Sequence, residues 1–394
     1  MAVLAAVWLL ALVPTAAAAP LDRRLERALA SPGVSWNATG VLVLDLRDGG
    51  LVYGRNAGLS LRPASNEKLP VALAALDELG PNTRIPTEVL GEGRLVGSVW
   101  RGRLVLKGYG DPTLGHDDLA LLARRLEKAG VTRVSGGIVA DESYFDTRRT
   151  APGWKARYYK NECPPLSALV VARARVGGWI TGDPALAAAQ AFRRALVAEG
   201  VAVGRGTAKA TARKSAVELA QVTSPRLAVI VRRMNRESDN FYAEMLLKTL
   251  GAKAIGRGTS SAGASVVRRE LGERGVPLAG VRIADGSGLS LDNRMTARAL
   301  VALLISAWSD PKISKPFYNS LPIAGVNGTL RDRMTRRPAY GRVRAKTGTT
   351  AAASALSGYV GTRYVFAVLQ NGNPVSYWHA RAGQDRFAQV LAGG

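Results

Sequence analysis

Apolar runs near both ends of the chain predict paired β-strands. Residues 41–46 are apolar apart from one aspartate, an Asp-Gly-Gly turn follows, and residues 51–53 return, which together indicate a β-hairpin. Residues 353–360 and 364–370 form a second such pair around a Gly-Thr-Arg turn. Because hairpins from both ends can share one sheet, we expect an antiparallel sheet built from N- and C-terminal strands.

Other apolar positions follow helical patterns. Residues 70–79 are rich in alanine and leucine and stop at Gly80. Residues 184–199 begin a helical pattern that dominates to about residue 310, and residues 378–391 predict a closing helix. Helices that cover an antiparallel sheet make a mixed α/β domain of the α+β kind, which is the fold class we expect.

Residues 84–180 have a different pattern, with short β-like runs broken by glycine and proline. This β-rich stretch between the first helix and the later helices predicts an inserted subdomain at 84–181. The segments 20–83 and 182–394 then form the main domain.

The first residues have the features of a secretory leader. Residues 1–20 contain no charged side chain, residues 2–13 form an apolar run, and alanines up to Ala19 offer a cleavage site. The run is shorter than the ~20 residues of a membrane span. We therefore predict a signal peptide at 1–19, an exported protein and no stable transmembrane span. A buried apolar N-terminal helix is the alternative.

Charge and composition narrow the classes of partner and site. The chain carries 54 Lys and Arg against 30 Asp and Glu, a net charge of +24, but the basic residues are scattered and no nucleic-acid-binding signature accompanies them. For an exported protein this charge favours an anionic polymer of the cell envelope, although a GC-rich genome gives a similar composition. One cysteine and two histidines exclude a disulfide framework and disfavour a multi-histidine metal centre or a Ser-His-Asp triad.

With histidine scarce, lysine is the candidate base for an activated nucleophile. Ser65 and Lys68 are three residues apart at the start of the first predicted helix, so they share a helix face and the amine can reach the hydroxyl. The helix N-terminus favours an alkoxide there. The alternative is a capping serine followed by a surface lysine. Ser309 and Lys312 have the same spacing, but a proline between them predicts a loop.

Two further motifs support this serine–lysine pair. Ser238-Asp239-Asn240 precedes an amphipathic stretch, and Lys346-Thr347-Gly348 precedes the last hairpin. Each tripeptide occurs by chance in unrelated chains, but the ordered set S-x-x-K, S-D-N and K-T-G is that of penicillin-binding proteins and serine β-lactamases.

Together with further stretches, these motifs make the chain resemble a class C low-molecular-mass penicillin-binding protein of the D-alanyl-D-alanine carboxypeptidase/endopeptidase group. The stretches that carry the resemblance are 62–69, 110–112, 234–240, 285–290 and 328–330. The resemblance implies the penicillin-binding-protein/β-lactamase-like transpeptidase fold. It also implies a serine peptidase of the periplasm or cell-wall space that cleaves peptidoglycan peptides, is acylated by β-lactams and needs no metal or organic cofactor.

The resemblance implies a catalytic role for five residues. Ser65 would attack the carbonyl between two D-alanines while Lys68 takes its proton. Ser238, assisted by Lys346, would protonate the departing D-alanine, and the charge of Lys346 would keep Lys68 neutral. Asn240 would hold the substrate backbone and the Lys68 amine.

Three further residues have implied binding roles. Thr347, with Lys346, would bind the terminal carboxylate, and Gly348 would let the substrate lie against the strand edge. The backbone N–H groups of Ser65 and Thr349 would form the oxyanion hole.

The chain departs from the family pattern in two places that affect the structure. Only residues 173–181 stand where the family usually has a second inserted subdomain, so that subdomain looks deleted. Pro70 lies early in the helix of Lys68 and predicts a kink or a short first turn. Two other functions stay open. A serine β-lactamase shares these motifs, although Ser65 and Ser238 are too far apart for a class A layout. A non-catalytic basic wall-binding protein is the other alternative.

Overall fold

The computed structural model describes residues 19–394, so the predicted signal peptide, apart from Ala19, lies outside the described residues. The helices are α1 Leu21–Leu29, α2 Lys68–Glu78, α3 His116–Lys128, α4 Pro184–Ala198, α5 Leu227–Arg236, α6 Asn240–Ile255, α7 Ser260–Glu273, α8 Ala297–Ser309, α9 Ser314–Ser320 and α10 Tyr377–Ala392. The strands are β1 Thr39–Asp45, β2 Leu51–Arg55, β3 Pro86–Val96, β4 Val99–Gly108, β5 Arg133–Val134, β6 Ile138–Asp141, β7 Arg175–Val176, β8 Trp179–Ile180, β9 Ala202–Val203, β10 Thr207–Lys209, β11 Val217–Thr223, β12 Val343–Thr350, β13 Ala353–Val360 and β14 Tyr364–Asn371.

The terminal strands form one antiparallel sheet in the order β12-β13-β14-β1-β2, as the apolar runs predicted. The N-terminal hairpin joins the C-terminal one through β1 and β14, where Val43 lies opposite Phe366. The strand β12, which carries Lys346, is therefore the outermost strand of the sheet. Its outer edge bonds to residues 322–324 at Val343–Ala345, and beyond Ala345 no strand of the described chain pairs with that edge.

Both faces of this sheet are covered, so the molecule has three layers there. Because side chains alternate along a strand, Val41 and Val43 face a core shared with α1 and α10. Leu42 and Leu44 pack instead against the larger core on the other side of the sheet. The helices α2, α5, α6 and α8 belong to this larger core. The predicted arrangement of helices covering a terminal sheet is confirmed.

A second sheet with its own hydrophobic core forms the inserted unit. Its main strands follow the order β10-β6-β4-β3-β11, and α3 and α4 pack on it. The chain enters and leaves this unit side by side, since Ile85 and Ser224 exchange backbone and side-chain hydrogen bonds. We therefore propose that the inserted unit spans residues 84–224. The predicted boundary at 181 placed α4 and β9–β11 in the main domain, although they complete this second core.

Two sequence patterns in this region were assigned incorrectly. The segment 84–180 was predicted as short β-runs only, yet α3 lies within it and buries Leu119, Leu122 and Leu126 at helical spacing. Residues 202–223 were predicted as part of a helical region but contain β9–β11. The helical spacing in α3 was overlooked, whereas in β9–β11 packing against the second sheet overrides weak local preferences.

Two smaller features bear on the site. Pro70 lies in the first turn of α2, which is preceded by the short 3₁₀ turn Ala64–Glu67, in agreement with the predicted short first turn. The short segment 173–181 contains the two-residue strands β7 and β8. Within residues 19–394, no helix combines the length and the apolar character that a bilayer crossing requires.

The proposed boundary can be tested at Phe192, which is fully buried in the second core. We expect Phe192→Ala to lower the free energy of unfolding by about 3–5 kcal/mol because a large buried side chain is lost. Hydrogen exchange should accelerate in β4 and β6 rather than in β13 and β14. Arg194→Ala, on the exposed side of the same helix, is the control. Equal acceleration in both sheets would show that α4 belongs to the main core.

Candidate active site

Ser65 lies in the 3₁₀ turn that leads into α2, and its position is fixed from two sides. The residue before it, Ala64, has a left-handed φ of 46°, a conformation that costs of order 1–3 kcal/mol and persists only where the surroundings enforce it. The loop 285–290 packs directly behind this turn. A Cβ added at Gly288 would lie 1.9 Å from the Ala64 carbonyl oxygen, so only glycine permits this approach.

The amine of Lys68 is the centre of the hydrogen-bond network. Its Nζ donates to Ser65 Oγ at 2.9 Å, to Asn240 Oδ1 at 2.8 Å and to the Ser287 carbonyl at 2.6 Å. Three acceptors match the three protons of an ammonium group. The side chain is fully buried, and it brings α2, α6 and the 285–290 loop to one point.

The second motif is the turn between α5 and α6. Ser238 has a left-handed φ of 56°, while Asp239 caps α6 by accepting the Tyr242 N–H. Asn240 is the first residue of that helix, and its amide donates to the Glu162 carbonyl at 3.0 Å. The amide oxygen of Asn240 is therefore left to face Lys68.

The third motif comes from the outer strand of the first sheet. Lys346 is fully buried, and its Nζ donates to Ser238 Oγ at 2.9 Å and to the Thr347 carbonyl at 2.6 Å. The Thr347 hydroxyl bonds the hydroxyl of Thr329 at 2.7 Å. Thr349 is exposed on the same strand. Two serine–lysine pairs thus face the same space.

Packing requires a glycine at position 348, which is a reason in addition to the expected approach of the substrate. A Cβ at this position would lie 2.7 Å from the Pro63 carbonyl oxygen, so the glycine lets the Ser65 turn pack against β12. Asn66 fastens the same contact, since its amide donates to the Lys346 carbonyl at 3.1 Å.

Burial sets the protonation of both lysines. It lowers the pKa of Lys68 to about 8, against the opposing influence of the Asp285 and Glu244 carboxyl groups. Burial, aided by the charge of Lys68, lowers the pKa of Lys346 well below its usual value. In residues 19–394 no carboxylate contacts the Lys346 amine. A charged Lys346 beside a neutral Lys68 therefore requires a negative charge from elsewhere.

Sequence reasoning missed a group of buried acids behind Lys68. Burial raises the pKa of Glu244 to about 8 and that of Glu67 well above its usual value. Glu244 Oε1 accepts the N–H groups of Gly286 and Ser287 and thereby orients the Ser287 carbonyl toward Lys68. In the sequence these glutamates look like ordinary helix positions, and only burial distinguishes them.

Asp285 holds the shape of the 285–290 loop. Its carboxylate accepts five hydrogen bonds, and the donors include Trp154 Nε1, the Ser287 hydroxyl and the amide of Asn293. The carbonyl of Ser287, in the same loop, is a direct partner of the Lys68 amine.

The structure therefore brings Ser65, Lys68, Ser238, Asn240 and Lys346 together, with Thr347, Gly348 and Thr349 following Lys346 on β12. The second S-x-x-K match lies elsewhere, with an exposed Ser309 at the end of α8. Among residues 19–394, no group of three or more His, Cys, Asp or Glu side chains is arranged to hold a metal ion.

Comparison with known sequences gives one family. The chain matches the D-Ala-D-Ala carboxypeptidase 3 (S13) family over residues 21–180 and 174–393. It is 33% identical to a D-alanyl-D-alanine carboxypeptidase of Actinomadura sp. (strain R39) over 445 residues, which cover 90% of this chain and 81% of that protein.

Solved structures show the same fold. Penicillin-binding protein 4 from Haemophilus influenzae matches with a TM-score of 0.81 and 21% identity, covering 94% of this chain and 98% of that one. A predatory endopeptidase from Bdellovibrio bacteriovorus, solved as a penicillin G acyl-enzyme, matches with a TM-score of 0.55 and 19% identity, covering 90% of each chain.

Proposed function

This chain belongs to the D-Ala-D-Ala carboxypeptidase 3 (S13) family, and on that premise we propose that it is a serine-type D-alanyl-D-alanine carboxypeptidase/endopeptidase acting on peptidoglycan stem peptides. One observation carries the proposal: the Lys68 and Lys346 amines each lie 2.9 Å from a serine hydroxyl. Such an arrangement can remove a proton from one oxygen and deliver another to a leaving group.

In the first half of the reaction, Ser65 is acylated. Its Oγ bonds to the carbonyl carbon of the penultimate D-alanine, and its proton passes to Lys68. The oxygen of the tetrahedral intermediate takes the negative charge, which the N–H groups of Ser65 and Thr349 would stabilise. The C–N bond then breaks, and the leaving nitrogen takes a proton from the Ser238 hydroxyl. Lys346 in turn gives a proton to Ser238.

In the second half, the oxygen of a water molecule bonds to the ester carbon, the bond from that carbon to Ser65 Oγ breaks, and the shortened peptide leaves. Ser65 Oγ regains a proton from Lys68, and the proton that the water loses restores the one given up by Lys346. Terminal D-alanine as the leaving group makes the reaction a carboxypeptidase step. When the leaving amine belongs to a neighbouring stem peptide, the same chemistry opens a cross-link. Both reactions use the same proton path, and they differ only in what occupies the leaving-group side.

The substrate itself supplies the charge that Lys346 lacks. We place the terminal carboxylate of the peptide at Thr347 and Lys346, where a negative charge would raise the pKa of Lys346. The proton then resides on Lys346, and the repulsion between two neighbouring ammonium groups leaves Lys68 neutral. In the reactive state, Lys68 and Lys346 therefore share one ammonium proton between them. Substrate binding moves that proton to Lys346, the lysine that supplies the acid.

The outer strand offers a place for the peptide backbone. Because β12 is the outermost strand of its sheet, an extended substrate can lie along it while Asn240 holds a substrate amide. A β-lactam carries a carboxylate and a strained amide in the same relation, so it would acylate Ser65.

The alternative function, a β-lactamase, requires fast deacylation. Among the described residues, no carboxylate contacts the Ser65 hydroxyl to activate a water there.

The place of action follows from the substrate. Peptidoglycan lies outside the cytoplasmic membrane, so we propose that the protein acts in the periplasm or the cell-wall space.

We also propose an anionic envelope polymer as a partner. Its support is a groove of about 710 Å³ that is lined by Arg24, Arg27, Arg336 and Arg386. The one carboxylate of the described chain in that lining, Asp385, is already paired with the buried Arg333.

Ser65→Ala tests the nucleophile. We expect the variant to lose labelling by a fluorescent penicillin and release of D-alanine from purified muropeptides, because no acyl-enzyme can form. The matched control is Ser309→Ala, which removes the serine of the second S-x-x-K match and should leave both readouts unchanged. Undiminished labelling of Ser65→Ala would refute the proposal. Loss of the penicillin adduct within seconds in the wild type would favour the β-lactamase instead.

The proton arrangement predicts a bell-shaped pH profile. We expect the second-order rate constant of acylation to fall about tenfold per pH unit above pH 8, where Lys68 loses the last proton of the pair. It should also fall at low pH, where Lys346 takes a second proton. Stopped-flow fluorescence between pH 5.5 and 10 measures this, with circular dichroism to verify folding. A rate that keeps rising from pH 8 to 10 would contradict a shared proton.

The arginine groove is tested by charge reversal. Arg24→Glu combined with Arg27→Glu should weaken binding to inorganic polyphosphate about tenfold or more at low salt, with little effect on penicillin acylation. Arg94→Glu with Arg101→Glu, an exposed pair on β3 and β4, is the matched control. Equal loss from both double variants would mean that only net charge matters and that no groove is involved.

A further inference from the structure

The hairpin β7–β8 lies where the family match is broken. The match runs over residues 21–180 and starts again at residue 174, so its two segments meet on this hairpin. Residues 174–180 belong to both matched segments. The contacts of this hairpin point to its use.

The base of the hairpin is held in an uncommon backbone conformation. Ala172, Arg173 and Ala174 have consecutive positive φ values of 47°, 56° and 61°. Non-glycine residues adopt this conformation only where the surrounding structure enforces it, and such residues concentrate at functional sites. Ala172 donates its N–H to the Leu114 carbonyl, and Ala174 accepts from Thr181. The direction of the Arg173 side chain is thereby set by the backbone.

Arg173 uses that direction to hold the S-D-N turn. Its guanidinium donates to both carboxylate oxygens of Asp239, at 2.5 Å and 3.3 Å. The Cζ atom also lies 5.2 Å from the ring centroid of Phe241, within the range of a cation–π contact. The Asp239 side chain is 11% exposed and that of Arg173 is 33% exposed, so water screens this pair less than a surface pair.

Asp239 stands between the two residues of the turn that contact the lysines. Ser238 accepts from Lys346, Asn240 accepts from Lys68, and Ser238 itself has a left-handed backbone. We propose that Arg173 is a positioning residue: the hairpin β7–β8 fixes Asp239, and through it sets where Ser238 and Asn240 meet the two amines. This inference rests on the catalytic roles proposed above for Ser238 and Asn240.

Such a residue affects rate rather than affinity. A displacement of about 1 Å in a catalytic group can lower a rate on the order of 100-fold, whereas Arg173 makes no contact that the proposed substrate pose uses. The planar guanidinium fork is also specific in its geometry, so lysine cannot reproduce the two-oxygen contact.

The test compares Arg173→Ala with Arg175→Ala, an exposed arginine on the same hairpin. We expect Arg173→Ala to lower kcat for D-alanine release and the acylation rate by penicillin about 10- to 100-fold, with KM changed less than threefold. Arg175→Ala should stay within twofold of wild type. Millimolar guanidinium ion should restore part of the Arg173→Ala rate, which loss of folding alone would not allow.

Two further variants keep the proposal falsifiable. Arg173→Lys keeps the charge and should still lose most of the rate, and it replaces the alanine variant if that one fails to fold. The double variant Arg173→Ala with Asp239→Asn should be no slower than the slower of the two single variants, because both substitutions remove the same contact. A wild-type rate in Arg173→Ala, or additive losses in the double variant, would overturn the inference. Ser65→Ala separates the positioning role of Arg173 from the proposed function. Penicillin labelling that survives in Ser65→Ala would refute the proposed function, whatever Arg173→Ala does.

Discussion

The active site depends on two lysine side chains that are completely withdrawn from water. Lys68 and Lys346 are each 0% exposed, and moving an ammonium group into such surroundings costs several kcal/mol unless partners replace the lost water. A hydroxyl and a backbone carbonyl replace it at each amine, and the Asn240 amide oxygen does so at Lys68 as well. Among the described residues, carboxyl groups stand behind Lys68 only. In the proposed mechanism this imbalance makes the proton transferable, because the substrate carboxylate would favour the charged form of Lys346.

The surrounding fold supplies this environment through rigid contacts. The loop held by Asp285 presses Gly288 against the Ser65 turn, and Asn66 ties the same turn to β12. The S-D-N turn is held by the ion pair between Arg173 and Asp239, and by the hydrogen bond from the Tyr242 N–H to Asp239 in the first turn of α6. Residues with left-handed backbones occur at these junctions, which indicates that tertiary packing, and not local preference, sets the positions of the reacting groups.

Much of this could be predicted from the sequence, and the exceptions have physical causes. The terminal hairpins, α2 and α10 were predictable because their apolar patterns are strong. The three motifs identified both the family, which is confirmed, and the residues that the structure gathers. The sequence prediction ended the inserted unit at residue 181, and we propose residue 224 instead because α4 and β9–β11 owe their place to long-range packing. The acids Glu67 and Glu244 stayed hidden because a sequence shows charge but not burial. The pairing of Arg173 with Asp239 stayed hidden because it depends on an uncommon backbone conformation that no local pattern encodes.

The pairing of β1 with β14 also has a consequence for biosynthesis. Ribosomes produce Ser65 and Lys68 early, whereas the strand bearing Lys346, and the strands that attach it to β1, come from residues 343–371. Asn66 and its β12 partner are 280 positions apart. A nascent chain therefore contains Ser65 and Lys68, the proposed nucleophile and base, long before it contains Lys346. The complete set of proposed reacting groups can come together only after the ribosome has passed β14.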